Sequence, residues 1–184
     1  MSCHQDCASR RAPILSTRRS VVAGLACAAV LPAASRPAAA AATADDERFM
    51  RMALDEARQA DFPFGAVIVR DGAVIARGRN LGRTNRDPTA HGEMVAIRRA
   101  LADHGPAALR GSTLYTSGEP CAMCMGAILW CHFGRLVFAA SVDQLAAKID
   151  QIMTSSSDLR AQAQFVAISI TGGVLADEAM ALFK

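Results

Sequence analysis

Apolar residues change their spacing repeatedly along this chain, and each change marks an element. From Ala44 to Ala60, Phe49, Met52, Ala53 and Ala57 recur at helical spacing among charged neighbours such as Glu56, which predicts an amphipathic helix. After Pro63 the run GAVIVRDGAVIARG predicts two strands joined by a tight turn at Asp71–Gly72, a strong hairpin signal. A loop rich in Gly, Asn, Asp and Pro, from Asn80 to Pro88, leads into a helix expected from about Ala90 to Asp103. Thr113 to Thr116 reads as a strand, Cys121 to about Cys131 as a helix, and Arg135 to Ala140 as a buried strand. The remainder predicts a helix over Val142 to Ile149, a loop over Thr154 to Asp158, a strand over Phe165 to Thr171 and a closing helix over Leu175 to Phe183. Helices and strands alternate throughout, which points to an α/β fold whose sheet is covered on both faces. No internal repeat interrupts this order.

Composition divides the 184 residues in two. The 52% hydrophobic content is inflated by alanine near the N-terminus, and no stretch after residue 45 approaches the roughly 20 apolar residues of a spanning helix. Residues 1–42 read as an address. Arg18–Arg19 precede an apolar run from Val21 to Leu31, Pro32 ends that run, and small residues suited to cleavage follow around Ala38 to Ala42. The arginine pair resembles a twin-arginine signal, which implies a periplasmic protein; a cytoplasmic location with a disordered Ala/Pro-rich extension, or a transit peptide, is the other reading. The overall charge of +3 belongs to this segment: residues 43–184, the expected globular domain, hold 15 basic and 16 acidic residues. A net charge of −1 disfavours a domain that grips nucleic acid by its phosphates, although arginines between Arg77 and Arg99 leave a local patch. Cys121, Cys124 and Cys131 are grouped inside the domain, a poor disulfide framework and a better metal or core set.

The candidate chemistry lies in Thr89-Ala90-His91-Gly92-Glu93 and Glu119-Pro120-Cys121-Ala122-Met123-Cys124, thirty residues further on. Together they form the H-x-E…P-C-x-x-C pattern of zinc deaminases. Pro120 suits the first position of a helix, which would put Cys121 and Cys124 on one face of its opening turns. Helix starts lower thiol pKa values and favour the thiolates zinc needs. His91 and Glu93 would diverge by about 200° on a regular helix, so they can converge only at an irregular helix start. Three protein ligands, His91, Cys121 and Cys124, leave a Zn²⁺ ion one open position, the mark of a catalytic site. Glu93 is then the base that takes a proton from the attacking water and passes it to the ring nitrogen, and that afterwards protonates the leaving amine. A closed structural site completed by Cys131 or His132 would require the second helix to break, and a redox CxxC would leave His91 and Glu93 unexplained.

Beyond the ligands, PFGAVIVRDG (63–72), DPTAHGEMVAIRRA (87–100) and LYTSGEPCAMCMGAILW (114–130) resemble the cytidine and deoxycytidylate deaminase superfamily. Within it they are most similar to bacterial guanine deaminases and tRNA adenosine deaminases. The resemblance implies a three-layer α/β/α sandwich around a five-stranded mixed sheet, a zinc cofactor and a homodimer. It also implies that Asn80 hydrogen-bonds the base, a position equally suited to a turn asparagine. Ala90 would line the site through its backbone. Gly92 stands where the family usually has alanine, implying a slightly looser helix start. Glu119 matches the guanine-type enzymes, or serves as a first-turn acid favoured by the helix dipole. Trp130 resembles the guanine type as well, or is a core aromatic. The acid those enzymes bring from a C-terminal segment has its nearest equivalent in Asp150. The expected function is hydrolytic deamination of a small nucleobase or related heterocycle, guanine first, with a tRNA adenosine deaminase and an inactive binding module as alternatives.

Overall fold

This computed structural model describes residues 42–184, so all but the last residue of the expected export segment lies outside the described residues. The elements run α1 (Ala44–Arg58), β1 (Gly65–Arg70), β2 (Ala73–Arg79), α2 (Gly92–His104), β3 (Thr113–Gly118), α3 (Ala122–Trp130), β4 (Arg135–Ala140), α4 (Val142–Ala146), α5 (Ser156–Gln162), β5 (Ser169–Thr171) and α6 (Ala176–Met180). The β1–β2 hairpin turns at Asp71 and Gly72, whose φ values of 50° and 75° are the two positive angles that a right-twisting two-residue turn demands. The strands form one sheet in the order β2-β1-β3-β4-β5. β1 is antiparallel to β2 and β3, while β4 and β5 continue parallel to β3.

Strand side chains alternate between faces, and the two faces build two cores. Ala66, Ile68, Leu114, Leu136 and Phe138 pack against Ala96, Ile97 and Ala100 of α2 and Met125, Ile128 and Leu129 of α3. Val67, Val69, Tyr115, Val137 and Ala139 pack against Phe49, Met50, Ala53 and Leu54 of α1 and Ala179 of α6. The expected three-layer sandwich with a five-stranded mixed sheet is therefore present. Among the described residues no helix is long and apolar enough to cross a membrane.

Several boundaries differ from those expected. The serine-rich stretch read as a loop becomes α5, because Ser155 caps it by accepting a hydrogen bond from the Asp158 amide at 3.1 Å. β5 is confined to Ser169–Thr171, and α4 and α6 are both shorter than their apolar patterns suggested. Pro120 is not the first helical residue: Cys121 is the N-cap of α3, and the proline precedes it.

α2 lies close against the sheet because Gly78 of β2 has no side chain. A Cβ there would overlap the Gly92 carbonyl and the Ala96 amide. Gly92 itself sits so near β1 that a Cβ would lie 3.0 Å from the Phe64 carbonyl oxygen. The start of α2 is thus tightly seated, in contrast to the looseness inferred from glycine at this position.

The far end of the sheet is fastened by a buried carboxylate. Asp46 closes a capping box with Thr43 at the start of α1. It also accepts hydrogen bonds from the Arg135 guanidinium at 2.7 and 2.9 Å and from the Tyr115 hydroxyl at 3.0 Å. Burial alone would raise its carboxyl pKa, but Arg135, the Thr43 amide and Tyr115 together hold it down at about 2. Burial and the bond to Asp46 push Tyr115 up to about 12. Asp46→Asn should cost about 3 kcal/mol at neutral pH, the lower end for breaking a buried pair because Arg135 still reaches solvent. The folded-state pKa lies below the unfolded one, so this stabilisation is complete above about pH 4 and disappears as pH falls towards 2. Urea unfolding of the two proteins across that range should show their difference shrinking to nothing.

Candidate metal centre and catalytic cavity

The candidate residues assemble at the carboxyl ends of β3 and β4, where open α/β sheets place their sites. β3 ends at Gly118 and passes through Glu119 and Pro120 to Cys121, the N-cap of α3 with φ −62° and ψ 168°. His91 is the N-cap of α2, with φ −66° and ψ 158°. Both ligand-bearing residues are extended, outside the helices they begin, and both helices open toward the same point. The extended His91 backbone also resolves the His-x-Glu spacing, because Glu93 is already inside the helix. The turn before His91 is set by Asp87, whose carboxylate accepts from the Thr89 amide at 2.8 Å and its hydroxyl at 2.6 Å, with Arg98 at 3.3 Å.

The ligand atoms of His91, Cys121 and Cys124 all lie within 4.8 Å of one another. His91 Nδ1 is 3.7 Å from Cys121 Sγ and 3.6 Å from Cys124 Sγ. A tetrahedral zinc with bonds of about 2.3 Å to sulfur and about 2.0 Å to nitrogen requires N···S edges of about 3.5 Å. The three side chains therefore fit this ion with little adjustment. Their protonation also suits it. A hydrogen bond from Cys124, aided by His91, pulls the Cys121 thiol down to about 4 against the effect of burial. The same bond and burial push Cys124 upward. The hydrogen bond to Cys121 raises His91. A thiolate at Cys121 is thus favoured, the form in which zinc binds sulfur. Cys131 and His132 lie outside the ligand group, beyond the other end of α3, so the closed four-ligand alternative is not formed.

Beside the ligands lies a cavity of about 30 Å³ lined by Phe64, His91, Glu93, Glu119, Cys121 and Gln151. Glu93 is 4% exposed, and burial drives its carboxyl pKa upward. A larger cleft of about 350 Å³ surrounds the Asp46–Arg135 pair, but it lies at the opposite ends of the strands and holds none of these groups.

The other candidates divide. Ala90 is buried, and its backbone carbonyl accepts from the Leu81 amide at 2.9 Å. Asn80 is buried too, but its Oδ1 accepts from the Gly82 amide at 3.0 Å, the turn arrangement, and it does not line the cavity. Glu119 lines the cavity, yet its two carboxylate oxygens are occupied by the Val142 amide at 2.9 Å and the Ser156 amide at 2.7 Å. It is no first-turn acid of α3, since it precedes the cap; it anchors the starts of α4 and α5. Two expectations fail. Trp130 ends α3, roughly 13 Å along the helix from Cys121. There it is 73% exposed and stacks on Phe165 at 4.7 Å, so it is neither at the cavity nor in a core. Asp150 points into solvent, and its neighbour Gln151 takes the place at the cavity. Phe64 and Gln151 were not singled out from sequence. Phe64, just after Pro63 at the start of β1, could have been found from its place in the hairpin; Gln151 lies in an irregular segment with no periodic signal.

A profile of the cytidine and deoxycytidylate deaminase zinc-binding region matches residues 43–140. The chain belongs to this deaminase family. Among its relatives, a guanine deaminase of Bacillus subtilis is 54% identical over 78 residues, covering 42% of this chain and 50% of that protein. A tRNA-specific adenosine deaminase of Haemophilus influenzae is 40% identical over 138 residues, covering 72% of this chain and 78% of its own length. The chain therefore spans half the length of the first relative and more of the second. The solved structure of a guanine deaminase from Nitrosomonas europaea superposes with a TM-score of 0.66 at 29% identity, covering 74% of this chain and 81% of that one. Zinc is the family's metal, and the His-Cys-Cys set holds the only such ligand group found among the described residues. Replacing Cys124 by Ser should weaken zinc binding by more than the roughly 10–100-fold that follows loss of an outer-shell partner. Metal analysis after dialysis against a graded chelator measures this; unchanged zinc content would remove Cys124 from the site.

Proposed function

We propose that this deaminase-family protein hydrolyses the exocyclic amine of a free nucleobase or related amino-heterocycle, with guanine as the first candidate. The observation that carries this reading is the buried Glu93 carboxylate facing a three-ligand metal set across a shared cavity. Bound zinc supplies a Lewis acid that eases deprotonation of a water molecule. Glu93 takes one proton from the water as its oxygen bonds to the amine-bearing carbon, and delivers that proton to the adjacent ring nitrogen. It then carries the second proton, from the new hydroxyl, to the amine, so that the C–N bond breaks, ammonia leaves and a carbonyl forms. Its raised pKa suits a group that must both accept and return a proton.

A small substrate is supported by the net charge of −1 over residues 43–184, since a domain that grips a tRNA hairpin is usually distinctly basic. The arginines between Arg77 and Arg99 form only a local cluster. The guanine deaminase relatives support guanine within that class. The longer match to a tRNA-specific adenosine deaminase supports the second reading, deamination of an adenosine in tRNA.

An ammonia-release screen of zinc-loaded protein against guanine, adenine, cytosine, their nucleosides, triazine analogues and a tRNA hairpin separates the two. Release from guanine with none from the hairpin is the expected result; the reverse selects the tRNA reading. Glu93→Gln should keep a full complement of zinc while kcat falls by about 10²–10⁴ or more. A protein active without Glu93 would contradict the assigned proton path.

A further inference from the structure

Phe64, one of the residues lining the cavity beside the metal ligands, owes its place to a residue with no side chain. It comes immediately before β1, which runs antiparallel to β3 with Ala66 opposite Thr116. Carried further toward the site, that register sets Phe64 opposite Gly118, the last residue of β3. Directly opposed residues on antiparallel strands bring their Cβ atoms within about 5 Å, so a large side chain on one strand lies over its partner. Gly118 leaves room for it. A Cβ at Gly118 would stand 2.6 Å from Phe64 Cε1, 3.1 Å from its Cδ1 and 3.0 Å from Leu145 Cδ1. Gly118 is not among the glycines with positive φ, so the backbone does not call for glycine here; the ring does.

Phe64 is braced on its other sides. Its carbonyl accepts from the Asn80 amide at 2.9 Å, and the next amide, that of Gly65, donates to the buried Ser117 hydroxyl at 3.0 Å. Behind the ring stand Phe183 at 5.3 Å and Phe62 at 5.7 Å, themselves 6.0 Å apart. Phe183 is 8% exposed, which makes it a packed backstop rather than a loose chain end. Leu145 is fully buried beside the same glycine. The side left open to the ring is the cavity.

We infer that Gly118 determines which ring systems the site admits, by letting the Phe64 ring lie back against the end of β3 and leave breadth for a fused two-ring heterocycle. This rests on the deaminase reading and narrows its substrate class. Gly118 touches no substrate in this account; it is a positioning residue that acts through Phe64, and Phe183 is the backstop that fixes where the ring rests. A methyl group in place of the glycine hydrogen moves the ring toward the cavity. The lost breadth bears on a two-ring base far more than on a one-ring base.

The test uses the zinc-loaded full chain and the same heterocycle panel, with one-ring members read as substrates or as competitive inhibitors. Gly118→Ala should keep its zinc and lower kcat/KM for the two-ring bases by roughly 10–200-fold, the range for one misplaced carbon in an apolar pocket, chiefly through KM. One-ring members should change by less than about threefold, so the preference for two rings falls. In a Phe64→Leu background, where no ring covers the glycine, Gly118→Ala should cost no more than about twofold. Phe183→Ala opens space behind the ring and should restore part of the two-ring KM lost in Gly118→Ala.

Losses that are alike for both ring sizes, with kcat falling in step with zinc content or urea midpoint, are those of a loosened fold and overturn the inference. So does a Gly118→Ala penalty as large in the Phe64→Leu background as in the parent. No recovery from Phe183→Ala overturns the backstop. If Gly118→Ala does not fold alone, its recovery as a zinc protein only together with Phe64→Leu supports the same contact, and failure in both backgrounds overturns it. A parent that releases ammonia from no member of the panel contradicts the deaminase reading first, and this inference with it.

Discussion

Everything in this molecule depends on two helices being aimed at one point from the same end of a sheet. A helix start has unpaired amides and a positive dipole end, which favours thiolates. It also permits an extended residue just outside the helix, which is how His91 and Cys121 reach inward while Glu93 and Cys124 follow from the first turn. Neither helix could hold the ligand set alone. The sheet makes them converge, because β3 delivers Cys121 and the hairpin strand β2, which runs the same way and finishes at the same end of the sheet, leads to His91. The close seating of α2 at Gly78 is part of this constraint, since a Cβ there would overlap the Gly92 carbonyl and the Ala96 amide beside the histidine's helix start.

The two ends of the sheet are specialised in different ways. At one end Asp46 ties α1 to β3 and β4 through Tyr115 and Arg135, a fully satisfied buried network with no open coordination. At the other, Glu93 is buried with its pKa raised, and the Cys121 thiol is held well below its usual range. Glu119 belongs between these cases. It is satisfied like Asp46, but its partners are the first amides of two short helices on either side of an irregular segment. Glu119, two residues before the first cysteine, therefore ties the cavity wall to the starts of both helices.

Much of this was legible in the residues themselves. The metal ligands and Glu93 announce themselves because their spacing is local: two short motifs, each at one helix start. The hairpin was readable because Asp-Gly has few other uses between two apolar runs, and β4 emerged with its expected limits from Arg135 to Ala140. What escaped was set by distant contacts or by irregular backbone. Glu119 meets partners 23 and 37 residues away, which no local pattern encodes. The serines before Asp158 carry turn-like composition, yet one of them caps a helix. Asp150 and Gln151 differ by one position in a segment without periodicity, so only coordinates could say which faces inward. Trp130 looked like a pocket or core residue by type, and is held instead at the surface against Phe165.

His91, Cys121 and Cys124 are the three side chains that would hold zinc and leave it incompletely coordinated by protein. X-ray absorption spectroscopy at the zinc edge of the purified protein tests this most directly. The expected spectrum shows one zinc per chain with two sulfur neighbours at about 2.3 Å and the remaining shell of nitrogen and oxygen at about 2.0 Å, altered when a substrate analogue is added. A shell of three or four sulfurs, or a spectrum indifferent to any analogue that binds, would contradict it.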